Sequence, residues 1–163
     1  MPELFFEIHP GADTKTLSAR GYGLARRLAA EKYGLAPEEL QTARGPHGKP
    51  FFFGLPGFHF SLSHSGEALA LAVHGSPVGV DVERLREPEL RVARRFFTAD
   101  EQAAMRGGGA RFYEIWTKKE AYLKYTGEGL SRPLTSFSVT ELPGVRFRTQ
   151  TRKGYMITVC YGE

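Results

Sequence analysis

Between residues 58 and 83 the hydrophobic pattern runs at period two. FHFSLS (58–63), ALALAV (68–73) and PVGVDVE (77–83) alternate side chains strictly, and the turn signals HSGE and HGSP separate them. Three short strands joined by tight turns are expected to form an antiparallel meander. The flanks read differently. LFFEIH (4–9) is a strand candidate. Residues 14–33 carry Leu17, Leu24 and Leu28 on one side of a helix with Gly34 as its C-cap. GPHGKP (45–50) is a loop, and residues 87–96 are mixed and basic. Thr98-Ala-Asp-Glu101 is a capping box opening a helix that Gly107–Gly109 breaks. A second helix reaches about Tyr125. LTSFSVTEL, VRFRTQT and YMITVCY read as three closing strands. No sequence repeat, heptad or low-complexity segment interrupts this order. Strands and helices in this arrangement define an α+β class. The 163 residues suit one domain.

Composition narrows the function classes. Hydrophobic residues make up 41%, enough for a core, and Cys160 is the single cysteine, so no internal disulfide framework or cysteine zinc cluster is available. One thiol fits a reducing cytosol, and a cytoplasmic location is expected. No secretory leader is legible in MPELFFEIHPGADTK, and the longest apolar run, ALALAV, is far too short to span a bilayer. The net charge of +4 favours anionic partners: nucleic acid, phosphorylated cofactors or an acidic protein.

Chemistry concentrates in two segments. On VGVDVE, Asp81 and Glu83 share one strand face and Val78, Val80 and Val82 the other. Two carboxylates roughly 6.6 Å apart along a strand can converge on one hard cation, or simply face solvent from a half-covered strand. The second segment is WTKKEAYLK (116–124). On a helical wheel Phe112, Ile115, Trp116, Tyr122 and Leu123 share a face, with Glu114, Thr117, Lys118 and Ala121 opposite. Glu120 lies at the margin of the apolar face and Lys119 projects into it. Glu120 and Lys124 could be an ordinary helical ion pair worth about 0.2–0.5 kcal/mol. Alternatively, Glu120 is the third carboxylate of a magnesium site that also takes phosphate oxygens, with Lys124 facing the same phosphates. Lys119 is either a second phosphate contact or a snorkelling lysine. FSLSHSG sets His64 at a strand end between Ser63 and Ser65, as a phosphate contact or as a turn histidine. Lys49 and Arg20 are solvated bases unless a ligand recruits them. Three function classes remain open on these residues: a phosphoryl-transfer enzyme, a magnesium-dependent nuclease or phosphodiesterase using the same carboxylates, and a non-catalytic basic domain binding nucleic acid or an acidic protein.

GKP at 48–50, FSLSHSG at 60–66, VGVDVE at 78–83, RFFTADE at 95–101, WTKKEAYLKYTGEGLS at 116–131 and LTSFSV at 134–139 occur in that order. The set resembles the 4′-phosphopantetheinyl transferases, specifically the larger monomeric type that activates nonribosomal peptide and polyketide synthases. The chain is short for that type and long for the small trimeric synthases. The resemblance implies a single domain, residues 1–163, built as a pseudo-dimer of two similar α+β lobes (about 1–75 and 76–163) with antiparallel sheets. It implies transfer of 4′-phosphopantetheine from coenzyme A to a serine of an apo acyl or peptidyl carrier protein, releasing adenosine 3′,5′-bisphosphate. It places Asp81, Glu83 and Glu120 on magnesium, Lys124 on the pyrophosphate, and Lys49, Ser63, His64 and, less closely, Arg20 on coenzyme A, with His64 near its 3′-phosphate. Asp81 belongs to the coenzyme A site as well, through the shared metal. Glu120 and Lys124 become the catalytic pair, with Glu120 accepting the serine proton. Glu101 falls where such enzymes carry an acid near the metal. The expected partners are coenzyme A and an acidic carrier protein, with no nucleic acid and no membrane, and the protein is expected to be a monomer. The basic run RLREPELRVARR (84–95) would then favour docking of an acidic carrier.

Overall fold

The computed structural model describes residues 1–105 and 108–163, the side chain of Leu130 excepted. Strand β1 (Glu3–Ile8) leads into helix α1 (Thr14–Tyr33), and a short hairpin of β2 (Thr42–Arg44) and β3 (Pro50–Phe52) follows. Strands β4 (His59–Ser65), β5 (Ala68–His74) and β6 (Val78–Arg84) come next, then helices α2 (Leu90–Phe96), α3 (Ala99–Ala104) and α4 (Gly109–Thr126). Strands β7 (Val145–Arg152) and β8 (Tyr155–Gly162) close the chain. The fold is α+β with antiparallel sheets. The expected break at Gly107–Gly109 falls partly on residues 106–107, outside the described residues; Gly108, at φ 97°, is the N-cap of α4.

The meander breaks between β5 and β6. Strands β4 and β5 pair as expected, Leu62 opposite Leu71, but β6 pairs with β8, Asp81 opposite Thr158. One sheet runs β1-β5-β4 and the other β6-β8-β7. In each, the first strand of its half of the chain lies beside the last, and the middle strand takes the far edge, with one long helix packed on the sheet. The same topology is thus used twice with no sequence repeat to announce it. The cause of the break is burial. Ala68, Ala70 and Ala72 of β5 and Val78, Val80 and Val82 of β6 are apolar rows that a single meander would leave partly wet. Packing the two sheets together places them in one core with Tyr155, Ile157 and Val159. Both faces of β5 are buried, since Leu69 and Leu71 also lie inside.

Where β4 meets β6 there is no backbone ladder. Ser61, Ser63 and Ser65 instead accept hydrogen bonds through their hydroxyl oxygens from the backbone N–H of Val80, Val82 and Arg84, at 3.0, 3.3 and 3.1 Å. The alternating serines of FSLSHS satisfy the donors of a neighbouring strand.

Helix α1 begins where Asp13 accepts from Thr16 N–H at 2.8 Å and ends at Gly34, φ 66°, the C-cap its sequence predicts. Its tight face differs from the leucine face expected. Leu17, Gly21, Ala25 and Ala29, each one turn apart, lie fully inside, while Leu24 and Leu28 are half-buried. A methyl group on Gly21 would stand 2.5 Å from Leu62 Cδ2. LTSFSVTEL is no strand. Leu134–Ser136 form a single 3₁₀ turn, and the chain then covers α4 with Phe137 and Val139 buried. Its backbone is satisfied by side chains: Phe137 C=O accepts from Lys119 Nζ at 2.7 Å, and Val139 N–H donates to Glu101 at 2.8 Å. With those groups occupied, no ladder is needed.

Candidate active site

The site is assembled by the close approach of α4 to β6. A Cβ at Gly79 would lie 2.0 Å from Ala121 O and 2.4 Å from Tyr125 N, so only glycine lets the helix backbone rest directly on the strand. Ala121 and Thr117 fill the same contact, and the Thr117 and Thr158 hydroxyls lie 2.7 Å apart. These two residues were expected on the solvent side of the helical wheel. They are fully buried because contact at this distance selects small and hydroxylated side chains, which carry no hydrophobic signal. One consequence is that Glu120 and Lys124 are set over the polar face of β6.

Asp81 is 3% exposed, which rules out a carboxylate facing solvent from a half-covered strand. Its Oδ1 accepts from Lys124 Nζ at 2.7 Å and from the Ser63 hydroxyl at 2.8 Å, and Lys124 also donates to Ser63 at 2.9 Å. Lys124 therefore pairs with the strand aspartate, so the simple Glu120–Lys124 helical pair does not account for it. Asp81 Oδ2 is buried with no hydrogen-bond partner. Glu83 Oε2 accepts from the Ser65 hydroxyl at 2.8 Å and its Oε1 from Trp116 Nε1 at 3.2 Å. Trp116 thus fixes Glu83 as well as anchoring the helix, packed against Phe96 and Phe97. Burial, reinforced by Asp81, raises Glu83 above the usual carboxylate range. Burial and then the Asp81 charge push Glu120 up to about 7, with Glu83 adding to the rise and Lys124 opposing it.

Three carboxylates whose charges repel, one with an orphaned buried oxygen, form an all-oxygen donor set suited to a hard divalent cation. No three His, Cys, Asp or Glu side chains among the described residues are already drawn around a single cation position. The Lys124 ammonium is the positive charge at the centre of the cluster.

Glu120 and Lys124 form part of the wall of a cleft of about 290 Å³, together with Tyr22, Lys49, Pro50, Phe60 and Leu62. Lys49 reaches across from the first half of the chain. Its Nζ donates to Val78 O at 3.0 Å and to Tyr125 O at 2.9 Å, which leaves one further N–H. Burial lowers its pKa to about 8. His64 is exposed and lies with Lys15, Ser18 and Tyr22 in an adjoining open hollow. Tyr22 lines both spaces and joins them; no pattern in the sequence pointed to it. Arg20 lines a different hollow, with Glu7 and Arg27, and is not brought to His64 or Lys49. Ser65, a phosphate-contact candidate beside His64 in the sequence, instead donates its hydroxyl to Glu83, and Ser61, which no sequence signal singles out, accepts Val80 N–H.

Lys119 is neither a phosphate contact nor a snorkelling side chain. It is fully buried and paired with Glu101 at 2.7 Å. Glu101 also accepts from Thr98 N–H at 2.8 Å, as the capping box requires. That carboxylate is therefore committed to the core of the second half.

Residues 77–163 match the family model of the 4′-phosphopantetheinyl transferase superfamily. The chain belongs to this superfamily. The matched segment carries Asp81, Glu83, Glu120 and Lys124. Similar relatives include a 4′-phosphopantetheinyl transferase of Bacillus subtilis, 38% identical over 121 residues, covering 71% of this chain and 54% of that protein. The 4′-phosphopantetheinyl transferase psf-1 of Bacillus pumilus is 39% identical over 123 residues, covering 72% and 53%. The 4′-phosphopantetheinyl transferase Sfp of Bacillus subtilis strain 168 is 35% identical over 121 residues, covering 71% and 54%. The chain spans about half the length of these curated relatives. No helix among the described residues is long and apolar enough to cross a membrane.

A linkage prediction arises from Glu120. Its folded pKa, about 7, lies above its unfolded value near 4.5. The folded state therefore holds a proton that the unfolded chain has released. The stability associated with the protonated form is fully present below pH 4.5 and lost as pH rises through 7. In EDTA, Glu120→Gln is expected to be more stable than the parent at pH 8, on the order of 2–3 kcal/mol, and nearly equal to it at pH 5. Urea midpoints at the two pH values measure this. An equal offset at both would show that Glu120 ionises normally.

Proposed function

We propose that the protein transfers 4′-phosphopantetheine from coenzyme A to the hydroxyl of a serine on an apo acyl or peptidyl carrier protein, releasing adenosine 3′,5′-bisphosphate. The observation that carries this reading is the cluster of Asp81, Glu83, Glu120 and Lys124, the last two lining the cleft, within the segment that matches the superfamily. Asp81, Glu83 and Glu120 are the residues that would hold magnesium, which when bound supplies neutralising charge for a pyrophosphate. The adjoining space lined by His64, Lys15 and Ser18 suits a terminal phosphate, and Tyr22 and Phe60 suit an adenine, so coenzyme A would lie along the joined clefts. Arg20 takes no part in this reading.

The reaction breaks a pyrophosphate P–O bond and forms a new one to the serine oxygen. Lys124 places positive charge where the departing bisphosphate gains negative charge. Glu120, at the cleft wall one turn before Lys124, accepts the serine proton.

The test is the intact mass of an apo carrier protein after incubation with this protein, coenzyme A and magnesium. The expected result is a gain of one phosphopantetheine, absent with EDTA and reduced at least a hundredfold in rate by Asp81→Ala. No gain with carriers of the acyl and peptidyl types, together with no coenzyme A binding, would overturn the transferase reading. Cleavage of nucleic acid under the same conditions would put the nuclease in its place.

A further inference from the structure

Ser61, Ser63 and Ser65 accept the backbone N–H groups of Val80, Val82 and Arg84 on β6, and Ser63 and Ser65 do a second thing at once. Their hydroxyls donate to carboxylates on the same strand: Ser63 to Asp81 Oδ1 and Ser65 to Glu83 Oε2, each at 2.8 Å. A hydroxyl has one proton, so this proton is committed to the carboxylate by the incoming N–H. Each serine holds one oxygen of its carboxylate; the other Glu83 oxygen takes the Trp116 indole N–H, and the other Asp81 oxygen has no partner although buried. A serine row used only to fasten β4 to β6 would need only its acceptor side. The donor side acts on Asp81 and Glu83, two residues apart on the strand and both among the proposed magnesium ligands.

We infer that Ser63 and Ser65 are positioning residues for the divalent cation: they fix the rotamers of Asp81 and Glu83 so that the two carboxylates present themselves together. This rests on the cation reading of the preceding subsection. Ser65 gives the cleaner case, because Ser63 also touches Lys124. Glu83 is otherwise held only by the Trp116 indole N–H. Losing Ser65 frees one end of a half-buried carboxylate, and the cation then has to order it on binding. Outer hydrogen bonds of this kind set metal affinity by about 10–100-fold.

The experiment measures Mn²⁺ binding by electron paramagnetic resonance of the free ion, without coenzyme A or carrier, for the parent, Ser65→Ala, Ser65→Thr and Trp116→Phe. Circular dichroism in EDTA confirms that each is folded. The expected result is a Mn²⁺ Kd raised about tenfold or more by Ser65→Ala and largely restored by Ser65→Thr, which keeps the hydroxyl. Trp116→Phe, which removes the other donor to Glu83, should weaken binding in the same direction. A Ser65→Ala Kd within twofold of the parent would overturn the inference and leave the serines as lobe fasteners alone, with the cation site intact. Absence of Mn²⁺ binding by the parent would overturn both this inference and the cation reading beneath it.

Discussion

Gly79→Ala should cost about 3 kcal/mol or more and lower transfer by more than a hundredfold, although it adds a single methyl group. The methyl carbon would stand 2.0 Å from Ala121 O and 2.4 Å from Tyr125 N. Both are backbone atoms in the last two turns of α4, so no rotamer change relieves the overlap. The helix must rise from the strand or the strand must bend. Ordinary overpacking of a core costs 1–3 kcal/mol, where flexible side chains absorb part of the strain. A backbone contact absorbs less. For a domain of this size 3 kcal/mol corresponds to a fall of about 6–12 °C in Tm. Activity falls further than stability because Glu120 and Lys124 flank Ala121 and ride on the displaced helix. Catalytic groups misplaced by about 1 Å can lose a hundredfold in rate. Gly75→Ala is the control: nothing lies within 4 Å of a methyl group there, and its change should stay within about 0.5 kcal/mol. Thermal melts of both variants decide the matter. Equal melting temperatures would mean that α4 does not depend on direct contact with β6.

The same contact explains which parts of the structure could be read from the sequence. Strand alternation in FHFSLS, ALALAV and VGVDVE identified three real strands, because period two survives whichever partner a strand takes. It did not reveal that the chain leaves one sheet for another after β5. That choice depends on where the alanine and valine rows are buried, a tertiary matter. Both long helices were located, and both tight faces were misjudged. Gly21, Ala25 and Ala29 in α1, and Thr117 with Ala121 in α4, are small or hydroxylated because they lie closest to a sheet. Hydrophobicity scales rank them low for the very property that places them there. The carboxylates Asp81, Glu83 and Glu120 were legible as a group through strand spacing and the helix margin. Their hydroxyl and indole partners were visible as residues but not as partners, since hydrogen bonds between β4 and β6 join positions 18–19 apart. Arg20 lies on the same helix as Tyr22 but lines a different hollow, a distinction that a helical register read from sequence alone does not make.

Glu101→Ala is the second large effect, and its origin lies entirely in the core. Glu101 and Lys119 are both fully buried; Lys119 Nζ donates to the two carboxylate oxygens at 2.8 and 2.7 Å and to Phe137 O at 2.7 Å. The same carboxylate receives Thr98 N–H and Val139 N–H. Four hydrogen bonds from three donor nitrogens, at the N-cap of α3, on α4 and in the 137–139 segment, meet on one acidic group. Its removal leaves an ammonium ion in the interior with a single carbonyl and the Phe137 ring face, 4.5 Å from the nitrogen. An unpaired buried charge of this kind costs about 3–5 kcal/mol. Burial already lowers the lysine pKa against the pull of Glu101. Without the carboxylate that depression deepens, and the folded protein gives up a proton that the unfolded chain keeps. Stability of the variant should therefore rise with pH, so its urea midpoint at pH 9 should exceed that at pH 7. In the parent the carboxylate opposes that depression, so its rise should be smaller. Replacing both residues, Glu101→Leu with Lys119→Met, removes the charge problem and should recover much of the loss, because apolar pairs of similar volume often match or exceed a buried ion pair. Two backbone N–H groups remain unsatisfied in that double variant, at about 1–3 kcal/mol each, so recovery is partial. If the double variant is as unstable as Glu101→Ala and neither changes with pH, the damage comes from the lost backbone hydrogen bonds. The Lys119 charge would then contribute nothing that a neutral side chain could not.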